Sequence, residues 1–147
     1  MVTFRDARRD EVPRIVALLA DDTLGAGREA EVDDAYWAAF DEIAADPRNR
    51  LIVAEADGQL AGTLQLTFVP GLSRHGTLRA QIEGVRVAAP WRGQGLGRAM
   101  IEWAVDAARR NGCGLVQLTS DKRRADAIRF YESLGFQPSH EGFKLPL

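Results

Sequence analysis

A single α/β domain is the fold the sequence predicts, and three observations predict it. The chain has 147 residues, which suits one domain able to bury roughly two-thirds of the surface its unfolded form exposes. Short apolar, β-prone runs alternate with stretches whose apolar residues recur at helical spacing. No internal repeat, low-complexity tract or Pro/Gly/Ser linker interrupts that alternation. The predicted order is β-α-α-β-β-β-α-β-α-β, with room in the tail for one more strand.

Residues 3–7 form the first strand. Asp10 then caps a helix whose apolar stripe is Val12, Ile15, Val16 and Leu19, and that helix stops near Asp21. Leu24-Gly25-Ala26-Gly27-Arg28 reads as a flexible loop. A second helix over residues 32–45 carries Tyr36, Trp37 and Phe40 and is ended by Pro47. Two β-rich runs, residues 51–54 and 61–68, flank Asp57-Gly58, a strong hairpin signal, and Pro70-Gly71 ends the pair. The fourth strand spans residues 77–87, with Ile82, Val85 and Val87 its most β-prone members, and Pro90 prevents it from continuing. The clearest helix follows. Leu96, Met100, Trp103, Ala104 and Ala107 share one face of it, whereas Arg98, Glu102, Asp106, Arg109 and Arg110 point elsewhere, and Asn111-Gly112 supplies the stop. Residues 115–119 make a fifth strand and residues 125–134 a last helix with Gly135 beyond its end. Residues 136–147 are expected to hold one or two short strands.

Composition narrows the functional classes. Apolar residues at 46% and charged residues at 27% match a globular protein rather than a disordered one. A net charge of −2 leaves no electrostatic footprint for nucleic acid or an anionic membrane, so any anionic ligand needs a local site. The one cysteine, Cys113, has no partner for an internal disulfide and lies in an apolar neighbourhood that reads as core. With only His75 and His140 as histidines, neither a metal centre nor a histidine-based triad is supported. Without a signal-peptide pattern or a stretch of membrane-spanning length, a soluble cytoplasmic protein is expected.

The segment Arg92-Gly93-Gln94-Gly95-Leu96-Gly97 carries the chemistry. It follows a strand and opens a helix, where unpartnered N–H groups and the positive end of the helix dipole attract an anion. Glycines let backbone approach a phosphate closely, and Arg92 and Arg98 can add charge-assisted contacts. By spacing alone the glycines also fit a tight strand-to-helix turn. Arg98 stands where the dinucleotide fingerprint has its third glycine, and no Lys-Ser/Thr pair follows, so nicotinamide and nucleoside triphosphate sites are disfavoured.

Arg92-x-x-Gly95-x-Gly97 resembles the acyl-CoA-binding signature of the GNAT superfamily of N-acetyltransferases. The preceding strand, Ile82-Glu83-Gly84-Val85-Arg86-Val87, and the later Ala127-Ile128-Arg129-Phe130-Tyr131-Glu132-Ser133-Leu134-Gly135-Phe136 are similar to two further parts of that family's pattern. The resemblance covers nearly the whole chain. It implies a mixed, mostly antiparallel sheet of six to seven strands flanked by about four helices and splayed between strands four and five. It implies acetyl-CoA as co-substrate, its pyrophosphate on residues 92–98 and its pantetheine against Val85, Arg86 and Val87. Where many members carry an asparagine before the second signature this chain has Arg124, so Asp121 or Arg124, beside Ala127, would make that contact.

The reaction implied is direct attack of a primary amine on the thioester in a ternary complex. Such a step needs a neutral amine, support for an oxyanion and a proton for the departing thiolate. The resemblance puts Tyr131 beside the sulfur as the acid. A phenol pKa of about 10 against roughly 8.5 for a thiol makes that transfer uphill by about 2 kcal/mol. By spacing, Tyr131 also belongs to an ordinary apolar stripe with Ala127, Phe130 and Leu134. Glu83 is the general base, or an exposed strand glutamate. Tyr36, Trp37, Phe40 and the loop bearing His75 are expected to form the acceptor pocket, although aromatics on an amphipathic helix also serve as core. The acceptor is a small-molecule or peptide amine, and a homodimer is implied by family analogy. The rival reading is a non-catalytic acyl-CoA-binding sensor or interaction module, and a second rival transfers a longer acyl group.

Overall fold

The computed structural model describes residues 1–22 and 24–147. They divide into two compact units, Met1–Gln117 and Leu118–Leu147.

The first unit is built on a sheet in the order β1-β2-β3-β4-β5. Strands β1 (Val2–Asp6), β2 (Asn49–Ala56), β3 (Gln59–Val69) and β4 (Arg79–Val87) are antiparallel neighbours. β2 and β3 are longer than their apolar runs because the turn between them is tight: Asp57 and Gly58 both have positive φ, 51° and 74°. β5 (Leu115–Leu118) lies beside β4. Its direction follows from two bonds, Gly114 N–H to the Leu78 carbonyl and the Gln117 amide to Gln81, which advance together along both strands and make the pair parallel.

Two helices cover opposite faces of this sheet. The backbone of Gly62 on β3 lies against Met100 of α4 (Leu96–Arg110), whereas Thr63 and Gln65, whose side chains point the other way, face Ile15 and Leu19 of α1 (Val12–Ala20). Ile52, Leu64, Leu66 and Ile82 of the sheet and Met100 and Ile101 of α4 are fully buried. α2 (Asp34–Ala45) packs on α1 through Val12, Val16 and Phe40.

Several local details differ from the expectation. α1 is entered through a 3₁₀ turn, Arg9–Glu11, and Glu11 rather than Asp10 supplies the capping carboxylate, accepting from Arg8 N–H at 2.8 Å. Asp10 is exposed, while Glu11 is fixed from the side by Arg5. α2 begins two residues later than expected because Asp33 accepts from Ala35 N–H at 3.0 Å and so sets its start. A short helix α3 (Ser73–Gly76) occupies the expected loop, with Arg74 and His75 at positive φ. The stop at Asn111-Gly112 is as expected, with Gly112 at φ 78°.

The second unit holds α5 (Ala125–Ser133) and the tail. α5 closes as expected on Gly135, at φ 95°, with the Phe136 N–H donating to the Tyr131 carbonyl and the Gly135 N–H to that of Glu132. The tail from residue 136 contains no strand, so the sheet has five strands rather than six to seven, and the described residues form five helices rather than four. Pro138 and Pro146 remove two ladder donors, and every residue from 137 onward is exposed. Among the described residues no helix is long and apolar enough to cross a membrane.

Candidate functional site

The sequence places a glycine turn between β4 and α4, and its geometry is that of an open helix N-terminus. Gly95 caps α4 at φ 84° and Gly93 stands at φ 75°, conformations costly for any residue with a Cβ. A Cβ built at either would meet nothing within 4 Å, so these glycines are needed for backbone conformation and leave the turn unobstructed. Gly95 brings no side chain to the first N–H groups of α4. Leu96 is buried and anchors the turn, and Gln94 donates to the Pro90 carbonyl at 2.8 Å.

Arg92 has partners of its own. Its guanidinium donates to the Val87 carbonyl at 3.0 Å and to the Asp21 carboxylate at 3.1 Å, joining the end of β4 to the end of α1. Arg98 is exposed and pairs with Glu102. Arg86 forms an ion pair with Asp22 at 3.1 Å.

β4 is bent at Gly84. Arg86 pairs with Thr63 and Glu83 with Gln65, so Gly84 and Val85 together face one residue of β3, and Gly84 takes φ 61°. β5 ends one residue after Gln117, which pairs at Gln81, so from Glu83 to Val87 no described strand runs along that edge of β4. Val85, Arg86 and Val87 are half-buried there.

Glu83 opens onto a cavity of about 130 Å³ bounded by α1 and the sheet. Leu51 pairs with Gln65 and Gln65 with Glu83, which sets these side chains in one row across three strands. Thr63, Ile15 and Leu19 complete most of the wall. Sequence reasoning found Glu83 but missed Leu51 and Gln65, because the row depends on register.

The α2 aromatics stand behind this wall. Phe40 is buried against Val12 and Val16, and Leu51, Tyr36 and Trp37 pack on the same cluster. The Tyr36 hydroxyl donates to Glu29 and accepts from Ala30 N–H, and Trp37 lies under the Arg9 guanidinium at 4.8 Å. His75 is exposed. Cys113 is half-buried, and burial pushes its thiol pKa up, away from reactivity.

In the C-terminal unit, Tyr131 is half-buried and its ring meets Phe130 and Phe136 edge-on, at 5.1 and 5.9 Å. Asp121 is held by Arg123 through two guanidinium bonds and one N–H, which keeps its carboxyl well below the usual range. Arg124 caps α5 and donates its N–H to the Asp121 carbonyl, and Ala127 is half-buried one turn on.

Comparison with known proteins places the chain in a family. The profile of the Acetyltransferase (GNAT) family matches residues 12–136. The aminoalkylphosphonate N-acetyltransferase of Salmonella typhimurium is 33% identical over 111 residues, 74% of this chain and 71% of that protein. The glucosamine 6-phosphate N-acetyltransferase of Trypanosoma brucei brucei is 34% identical over 90 residues, 61% of this chain and 59% of that protein. Among solved structures, a protein of Bacillus halodurans C-125 described as a transcriptional regulator superposes with a TM-score of 0.97 at 47% identity, over the full length of both chains.

Proposed function

Since the chain belongs to the GNAT acetyltransferase family, we propose that it transfers an acetyl group from acetyl-CoA to a primary amine by direct attack in a ternary complex. The observation that carries this reading is the uncapped glycine turn opening α4 immediately after a strand whose edge is unpaired beyond Glu83. The turn fits a pyrophosphate, with N–H groups of Gly93 to Arg98 facing it and Arg98 adding charge. Arg92 joins them if it exchanges Asp21 for phosphate. The edge of β4 at Val85 and Val87 accepts the pantetheine amides as an added strand, which is where the sheet splays. Asp121, Arg124 and Ala127 flank the same arm by family analogy.

Glu83 receives the proton of the attacking ammonium, directly or through water. The amine nitrogen then bonds to the acyl carbon, a backbone N–H near Val85 steadies the oxyanion, the carbon–sulfur bond breaks as Tyr131 protonates the thiolate, and the surplus proton left on the amide nitrogen passes through water to the Tyr131 phenolate. The family match extends through Tyr131 and supports that role. Tyr36, Trp37, Phe40 and His75 act at the acceptor side, the first three by backing the wall that Leu51 presents. The working form is a cytoplasmic homodimer.

Isothermal titration with acetyl-CoA tests the cofactor half, and absence of heat at millimolar ligand refutes it. Tyr131→Phe should lower kcat about 100-fold while leaving acetyl-CoA affinity within twofold.

The second reading, a non-catalytic acyl-CoA sensor, is favoured by one observation: the 47%-identical protein is described as a transcriptional regulator. The net charge of −2 argues against direct DNA binding by this chain. Acetyl-CoA binding without product across a broad amine panel would select the sensor.

A further inference from the structure

The cavity beside Glu83 is selective by its chemistry, and the inference drawn from it rests on the acetyltransfer reading above. Its three polar wall groups all present acceptors. Glu83 brings a carboxylate. Thr63 already gives its hydroxyl proton to the Ile52 carbonyl at 2.9 Å, which leaves oxygen lone pairs. Gln65 donates through Nε2 to Asn49 Oδ1 at 3.3 Å, and Asn49 is itself held by Asp46 at 2.9 Å, which fixes the amide and leaves its carbonyl oxygen as an acceptor. A wall that offers a carboxylate and further oxygen acceptors, with no cationic side chain among its described residues, suits an ammonium or amine group.

The remaining wall sets size and polarity. Ile15 and Leu19 of α1 and Leu51 of β2 are apolar, and no Arg, Lys or His is among the described residues that line the cavity. Gly84 keeps it open, since a Cβ there would stand 3.5 Å from Leu19 Cδ2. A volume of about 130 Å³ is slightly under the 150 Å³ or so that accommodates benzene, room for about four to six non-hydrogen atoms. A phosphate inside would meet a carboxylate and no cation.

We infer that the acceptor presents a short, phosphate-free alkylamine head to this cavity, its nitrogen held by Glu83, Gln65 and Thr63 and its carbons by Ile15, Leu19 and Leu51. The relatives named for aminoalkylphosphonate and glucosamine 6-phosphate have acceptors that carry phosphorus, and this cavity has no cation among its described lining residues to hold such a group.

Two measurements test the assignment on the full chain. In an NMR titration with butylamine hydrochloride, saturable shifts should be confined to the Gln65 side-chain amide, Thr63, Gly84 and the methyl groups of Ile15, Leu19 and Leu51. In turnover with acetyl-CoA, butylamine should exceed 2-aminoethylphosphonate and glucosamine 6-phosphate at least tenfold in kcat/KM. Gln65→Leu should raise the amine KM about tenfold, and Leu51→Ala should move the optimum toward bulkier amines, with Leu51→Val shifting it less should the alanine variant fold poorly. Shifts at other residues, preference for a phosphorylated amine, an unchanged profile in both Leu51 variants, or preference for hexanoyl-CoA over acetyl-CoA would each overturn the assignment. Butylamine shifts without acetyl-CoA binding would refute the acetyltransfer reading while supporting the amine site. Acetyl-CoA turnover with phosphorylated amines would refute only the acceptor class.

Discussion

At the scale of single residues, the most consequential group outside the site is Glu11. Its carboxylate is 2% exposed and accepts from Arg5 through two bonds of 2.8 and 3.0 Å and from Arg8 N–H. The Arg5 side-chain bonds, more than the opposing effect of burial, hold its pKa below the ordinary carboxylate value. A carboxylate depressed in the folded state contributes stability that is present above its unfolded pKa, about 4.3, and is lost as pH falls through the lower folded value. Glu11→Gln should therefore lower the Tm at pH 7 and flatten the fall in Tm below about pH 4.3, as followed by circular dichroism. Glu11→Ala should cost about 2–3 kcal/mol in urea unfolding, because Arg5 would keep Glu55 as its one carboxylate partner beside a cavity. The sequence showed a good N-cap at Asp10 and gave no sign of this triad, since Arg5, Glu11 and Glu55 meet only once β1 pairs with β2.

At the scale of elements, what could be read from the sequence was what local chemistry decides. Asp57-Gly58, Asn111-Gly112, Gly135 and the stripe of α4 each act within a few residues, and each stands where expected. Register could not be read so. A two-residue turn pairing Ala56 with Gln59 would continue to Leu51 opposite Leu64. The irregularity between Ala54 and Glu55 moves that pairing by one, to Gln65, and puts a polar side chain in the row with Glu83. The glycine turn was legible as an open helix N-terminus because helix N-termini are local too. Gly95→Ala places a Cβ at φ 84° and should destabilise the fold by about 1–2 kcal/mol while weakening acetyl-CoA binding at least tenfold in calorimetry. A glycine serving only as a helix start would produce the stability loss alone.

At the scale of the whole molecule, the C-terminal unit leaves an apolar tail exposed. The tail segment Phe143-Lys144-Leu145-Pro146-Leu147 alternates as a strand does, yet its apolar residues Phe143, Leu145 and Leu147 are 95%, 83% and 117% exposed. No residue of that unit is buried. In the other unit β5 ends the sheet with an outer edge that no described strand covers. Exposed apolar side chains and a free strand edge are both surfaces that a second chain covers at low cost. The homodimer proposed above gives each a partner without requiring any residue to change. Sedimentation equilibrium should show a dimer at micromolar concentration, and Phe143→Lys with Leu145→Lys should shift it to monomer without lowering the Tm of the sheet-bearing unit. Wild type remaining monomeric up to about 100 µM, where even a Kd of that order would leave dimer visible, would rule the assembly out.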